Sequence, residues 1–179
     1  GLRCVARYAY DKGWVSDQSF TVETAVGPRA VQLRSDGRVR VFLGNPVAGE
    51  EIEVSGVTVH TVDVGNPHAI SWVDDTKRAA VRDLGPAIEV SDEFPEGTNV
   101  EFATIIGPNR IDLRVWERGV GETLACGSGA AATAFLAREQ GYVDSSVAVR
   151  LLGGELRVDL DEAGAWIEGP ARAIFSGVI

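Results

Sequence analysis

Residues 117–130 read Glu117-Arg118-Gly119-Val120-Gly121-Glu122-Thr123-Leu124-Ala125-Cys126-Gly127-Ser128-Gly129-Ala130. Just upstream, Ile111, Leu113 and Val115 alternate with Asp112, Arg114 and Trp116, the period-two pattern of a strand. Downstream, residues 130–140 are rich in small side chains and read as a helix. The stretch is therefore a strand end, a glycine-rich loop and a helix start, with one thiol at the junction. A helix N-terminus presents unpaired N–H groups and about half a positive charge. Both favour a thiolate and predict a Cys126 pKa below the ~8.5 of a free thiol. The glycines let the backbone approach a ligand, and the same N–H groups can hold a carboxylate. The plainer reading of a lone cysteine is a small buried hydrophobe.

Working outward, Leu2, Val5, Ala6 and Ala9 recur at helical spacing before Gly13, which predicts a short first helix with Cys4 as a structural residue opposite Val5. From Phe20 to about Leu43 the pattern is β, with Val39 and Val41 alternating with Arg38 and Arg40, and Ser35-Asp36-Gly37 as a hairpin turn. Gly44-Asn45-Pro46 punctuates, and residues 45–51 read as a connection at a domain boundary. Ile52, Val54, Val57, Val59, Val62 and Val64 continue as strands broken at Ser55-Gly56. Residues 69–73 form another. A helix capped by Asp74 or Asp75 is expected to reach about Leu84, stopped by Gly85 and Pro86. Residues 89–98 read as irregular. Val147, Val149 and Leu151 turn at Gly153-Gly154 into Leu156, Val158 and Leu160. A strand surrounds Trp166 and Ile167, and another is expected over residues 173–179. No long βα alternation and no solenoid period is present, so the expectation is α+β with mostly antiparallel strands.

Composition narrows the function. Among 179 residues, 17 Lys and Arg face 26 Asp and Glu, a net charge of −9. Such a balance argues against a nucleic-acid surface and against an anionic membrane partner. No apolar run approaches the ~18 residues of a bilayer span. Two cysteines give no disulfide framework and fit a reducing, cytoplasmic compartment. A structural zinc would need both cysteines together with His60 and His68, so no metal is expected. Lys12 and Lys77 are the only lysines, and neither sits in a phosphate-binding context, which argues against a pyridoxal cofactor. The chain lacks Met, opens inside a helical pattern and shows no signal-peptide layout; the expectation is a chain whose front part is missing.

Three further groups could carry chemistry. Glu117-Arg118 at the strand end is either a solvated ion pair or a receptor for a zwitterion, with Arg118 forking onto a carboxylate and Glu117 accepting from an ammonium. Gly65-Asn66-Pro67-His68 is either a plain turn or a clamp, with the Asn66 amide on a ligand and His68 tuning a neighbouring ionisable group. In Thr98-Asn99-Val100-Glu101, Asn99 is either a turn residue or a ligand amide.

Taken in order, these motifs resemble the diaminopimelate epimerase family. Residues 117–130 resemble its second cysteine motif, Gly65 to His68 its Gly-Asn-Pro-His loop, and Asn99-Val100 its next ligand-binding turn; Gly153-Gly154 and Gly169-Pro170 follow in order. Gly1-Leu2-Arg3-Cys4 matches only the tail of the family's first motif, Cys-Gly-Asn-Gly-x-Arg-Cys, whose catalytic cysteine would lie three residues before Gly1. The resemblance implies two similar, mixed and mostly antiparallel β units, each wrapped around a central helix, the first incomplete: residues 1–44 as the remainder of the N-terminal domain, 45–168 as the C-terminal domain, and 169–179 as a strand returning to the first. It implies a cofactor-independent inversion between LL- and meso-diaminopimelate, in lysine and peptidoglycan precursor biosynthesis, by two thiols on opposite faces of the α-carbon. Cys126 would be one of them, His68 and Glu117 would modulate the thiols, and Asn66, Asn99, Glu117, Arg118 and the Gly127 and Ser128 backbone would bind the amino-acid substrate. The implied partner is a small molecule, with room for a homodimer. The polypeptide alone, with one thiol of the pair, is expected not to epimerise. Three other readings use the same residues: a Cys–His hydrolase with Cys126 as nucleophile and His68 as base, a related racemase of another amino acid, and a non-catalytic binding module.

Overall fold

The computed structural model describes residues 1–175 and 177. In chain order its elements are α1 (Leu2–Asp11), β1 (Ser19–Val22), β2 (Arg29–Leu33), β3 (Arg38–Gly44), β4 (Val47–Val54), β5 (Val57–Asp63), β6 (Pro67–Trp72), α2 (Val81–Glu89), β7 (Asn99–Gly107), β8 (Arg110–Glu117), β9 (Gly121–Thr123), α3 (Gly127–Glu139), β10 (Ser146–Leu151), β11 (Gly154–Asp161) and β12 (Gly164–Pro170). The strands join in one sheet of order β1-β2-β3-β12-β11-β10-β8-β7-β6-β5-β4, with β9 pairing β8 beside that path. Among the described residues only β6/β7 and β8/β10 run parallel. The α+β expectation therefore matches the fold.

The sheet curls around α3. Residues 129–134 of that helix are all buried, as are Leu136 and Ala137. A helix apolar on every side is a core helix, and its alanines let strands from both flanks approach. Around it pack Ile70, Ala103, Val115, Val147, Val149, Val158 and Ile167. A second cluster lies on the opposite face of β6–β8, where Val81 and Ile88 of α2 cover Ala69, Val100 and Phe102. Each such large side chain contributes about 1.5–3 kcal/mol on burial. Strand alternation then sorts the site: with Ala69, Val100, Phe102 and Trp116 turned to α2, the intervening His68, Glu101 and Glu117 are turned to α3.

Several local expectations change. Residues 47–51 are not a loose connection but the first half of β4, paired with β5 through a bulge; their polarity reflects an exposed edge strand. Asp75 does not cap α2; its carboxylate accepts from Lys77 N in a preceding turn. The helix starts at Val81 and runs through Gly85 and Pro86. Glycine is required at 85 because a Cβ there would meet the Trp116 side chain at 2.7–2.9 Å, and its lack of a side chain also eases the fit of the following proline. Along α1 only Ala6 is fully buried, and Cys4 is exposed rather than structural, because α1 rests by one side on β2 and β3, with Arg3 reaching Gly169 of β12. β3 pairs with β2 on one edge and on the other with β12, through Ala165–Pro170. Residues 171–175 have no regular structure, and the remainder of the strand expected over 173–179 includes residues 176, 178 and 179, outside the described residues. No helix among the described residues is long and apolar enough to cross a membrane.

Candidate active site

Cys126 is the N-cap residue of α3, in extended conformation, with its sulfur accepting from Gly129 N at 3.4 Å and 3.5 Å from Ser128 Oγ. A thiol thus fills the capping place usually held by Ser, Thr, Asp or Asn. The loop that delivers it is pinned from the β10–β11 hairpin, where Gly153 N donates to Leu124 O at 2.7 Å. A Cβ on Gly153 would stand 2.9 Å from that carbonyl, and one on Gly127 2.7 Å from Ile167 Cδ1. The Gly127 and Ser128 amides belong to the helix's first turn, whose N–H groups lack intrahelical partners.

The expected thiolate is not what this environment favours. The two hydrogen bonds lower the Cys126 pKa, but burial, reinforced by the nearby Glu101 and Glu117 carboxylates, outweighs them and pushes it up to about 11. Only 6% of the residue is exposed, so ionisation forfeits water that the helix terminus replaces only in part. At neutral pH the resting group is the thiol.

His68, on β6, is 1% exposed, and its Nδ1 lies 2.7 Å from Glu101 Oε1 on the adjacent β7. Both side chains are wholly inaccessible. Burial raises the Glu101 pKa, while the His68 contact works against it. Glu101 also reaches the thiol's helix: a Cβ on Gly129 would collide with Glu101 Oε1 and stand 3.3 Å from Cys126 Sγ. Glu101 is not among the residues that the sequence motifs single out. Its signal was a lone acid inside the apolar run Val100-Glu101-Phe102-Ala103, in a strand buried on both faces.

The remaining expected residues frame this centre. Asn66 heads β6, half-buried, in a turn that requires Gly65 at φ +90°. Asn99 is 6% exposed and works as a strut: its Nδ2 donates to Pro67 O at 2.9 Å and its Oδ1 accepts from Arg118 N at 3.1 Å. It ties the Asn66–His68 turn to the Glu117–Arg118 turn. Glu117 accepts from Thr123 Oγ1 of β9. Arg118 is exposed, and its guanidinium donates to the carbonyls of Glu96 and Gly97, so in this conformation it braces the 96–97 loop. Glu89, also unassigned by the sequence, holds the same turn from α2, accepting from Gly119 N and from Trp116 Nε1, each at 2.6 Å.

The structure therefore brings Cys126, Glu101, His68 and Glu117 to one face beside the α3 N-terminus. It does not join Cys126 to His68: the thiol bonds Ser128 and Gly129, and His68 bonds Glu101. That arrangement disfavours the hydrolase reading, which needs nucleophile and base in hydrogen-bond reach. Among the described residues no cluster of three or more His, Cys, Asp or Glu side chains is placed to hold a metal ion.

Residues 60–174 match the family model described as diaminopimelate epimerase. The diaminopimelate epimerase of Thioalkalivibrio sulfidiphilus is 40% identical over 198 aligned positions, covering 100% of this chain and 71% of the relative. That of Alkalilimnicola ehrlichii is 42% identical over 199 positions, covering 100% and 71%. Among solved structures, a predicted epimerase from Pseudomonas aeruginosa superposes with a TM-score of 0.75 at 19% identity, over 98% of this chain and 73% of that one. A hydroxyproline epimerase from Agrobacterium vitis, solved with bound trans-4-hydroxy-L-proline, gives 0.73 at 18% identity, over 94% of this chain and 62% of its own. These two structural likenesses carry the fold.

Proposed function

The chain belongs to the diaminopimelate epimerase family, an amino-acid epimerase family, and from that premise we propose that it works on diaminopimelate by proton transfer at the α-carbon, with Cys126 as the proton carrier on one face. The supporting observation is the Cys126 thiol capping α3, buried beside Glu101 and kept protonated.

An α-C–H bond is a very weak acid, so its carbanion needs a water-poor pocket and dipoles already aimed at the developing charge. A second cysteine thiolate on the opposite face takes the α-proton; the Cys126 S–H bond then breaks as its proton passes to the carbanion, and the inverted C–H bond forms. A thiol near 11 keeps its proton from water and gives it to a strongly basic carbanion. The thiolate left behind stays within reach of the Gly129 N–H and the Ser128 hydroxyl. In the reverse direction that thiolate is the base. The Gly127 and Ser128 amides suit the substrate's α-carboxylate, and Asn66, Asn99, Glu117 and Arg118 line up for the rest of the molecule, Arg118 by exchanging its carbonyl partners for a carboxylate. Inversion, unlike exchange, needs a carrier on each face. The chain's other cysteine, Cys4, is exposed on α1, so net conversion of LL- into meso-diaminopimelate by these 179 residues alone is not expected.

The test follows deuterium at Cα by proton NMR, with diaminopimelate in D2O, for the protein and its Cys126→Ala variant. The proposal expects label that depends on Cys126 and a much slower reaction with lysine, which lacks the second carboxylate. No label, label that survives Cys126→Ala, or equal labelling of lysine overturns it.

A further inference from the structure

The His68–Glu101 pair has two atoms left over. His68 Nε2 and Glu101 Oε2 are buried without a hydrogen-bond partner, although buried polar groups are almost always paired. The groups facing the pair are His68 on β6, Glu101 on β7, Glu117 at the end of β8 and Cys126 at the start of α3. Among the described residues no Lys or Arg pairs with either member.

Charge balance decides how many protons the pair holds. A buried net charge without a counterion is strongly disfavoured, and here a second acid, Glu117, stands nearby. Two neutral arrangements are related by a proton shift along the contact: a carboxylic acid donating from Oε1 to Nδ1, and a carboxylate accepting from Nδ1–H of an imidazolium. They differ by one proton moved along the 2.7 Å contact, and in both the second proton is on Nε2. A third neutral arrangement, the acid protonated on Oε2 with Oε1 accepting from Nδ1–H, leaves Nε2 bare, but its contact is a neutral N–H···O bond of usual length about 2.9–3.0 Å, whereas 2.7 Å is the length of a charge-assisted one.

We propose that Glu101 is a positioning residue of the reaction, sharing one proton with His68 across the Oε1–Nδ1 contact and so holding His68 Nε2–H as a fixed hydrogen-bond donor for an anion at the Cys126 end of α3. The anion is the thiolate formed in turnover. A simple packing role for Glu101 requires no proton on Nε2 and no shared proton on Nδ1. Gly129 belongs to the same device, because any side chain there would displace the carboxylate from its place between His68 and Cys126.

The test is 15N and proton NMR of the histidine rings at pH 8. The chain has two histidines, and His60→Gln identifies the His68 signals. The expected spectrum shows a proton on Nε2 and a far-downfield proton shared at Nδ1, the latter lost in Glu101→Gln while the melting temperature stays within a few degrees. A bare Nε2 at pH 8, or an unchanged Nδ1 signal in Glu101→Gln, overturns the proposal. Should the variant fail to fold, the spectrum of the unaltered protein decides alone. A kinetic arm rests on Cys126 as proton carrier: Glu101→Gln should slow Cα labelling of diaminopimelate at saturation about tenfold or more, with half-saturation shifted less than about threefold. Equal losses in both overturn the positioning role. The ring spectrum does not depend on the substrate, so failure of the epimerase reading remains distinguishable from failure of this one.

Discussion

Replacing Cys4 by serine leaves Cys126 as the one thiol of the chain, and its alkylation by iodoacetamide can then be followed by intact mass from pH 7 to pH 10. Only the thiolate reacts. With burial, Glu101 and Glu117 pushing Cys126 up to about 11, roughly one molecule in a thousand is ionised at pH 8, against about one in four for a free thiol at ~8.5. Burial slows reagent access too, but access shifts the whole profile, whereas ionisation sets its shape. The logarithm of the rate should therefore climb one unit per pH unit up to pH 10, with no plateau. The same gap acts on stability. Between about 8.5 and 11 the unfolded chain has released this proton and the folded chain has kept it, so stability falls as pH rises through that window, by about 3 kcal/mol from this group. Below pH 8.5 the contribution is fully present. A plateau below pH 9, or alkylation at pH 8 faster than that of the exposed Cys4 in the unaltered protein, refutes the reasoning.

Gly85→Ala sets two effects against each other: the helix gains about 1 kcal/mol, but the new Cβ collides with three atoms of Trp116, a side chain held by Glu89, at about 1–3 kcal/mol. A lower midpoint in urea is expected; a higher one shows that Trp116 can move. Asn99→Ala removes both ends of the strut between Pro67 and Arg118. It should lose about 1–3 kcal/mol in a denaturant titration and at least as large a fraction of affinity for diaminopimelate by calorimetry; unchanged affinity refutes the strut's role in shaping the site.

What the sequence made legible was periodic or punctuated. The alternation at Ile111–Val115, the turn at Ser35-Asp36-Gly37 and the small-residue helix after Cys126 each correspond to elements of the fold. What it concealed depended on tertiary neighbours. Gly85 and Pro86 signal a stop, yet α2 runs through both because Trp116 occupies the space a side chain would take. Residues 47–51 lack alternation because an edge strand need not bury one face. At the site, the α3 terminus favours a Cys126 thiolate locally, but desolvation and Glu101, both supplied by β7 folding against α3, outweigh it. Glu101 was visible only as a charge among apolar neighbours; its partner, 33 positions earlier, follows from the parallel pairing of β6 and β7.

The pairing of β3 with β12 sets an order of events at the ribosome. β3 has one edge bare until Pro170 emerges, roughly 6–25 s after Gly44 at typical elongation rates. A nascent chain arrested anywhere short of that point is open at its middle rather than at its end, with the backbone groups of residues 38–44 offered to any passing strand.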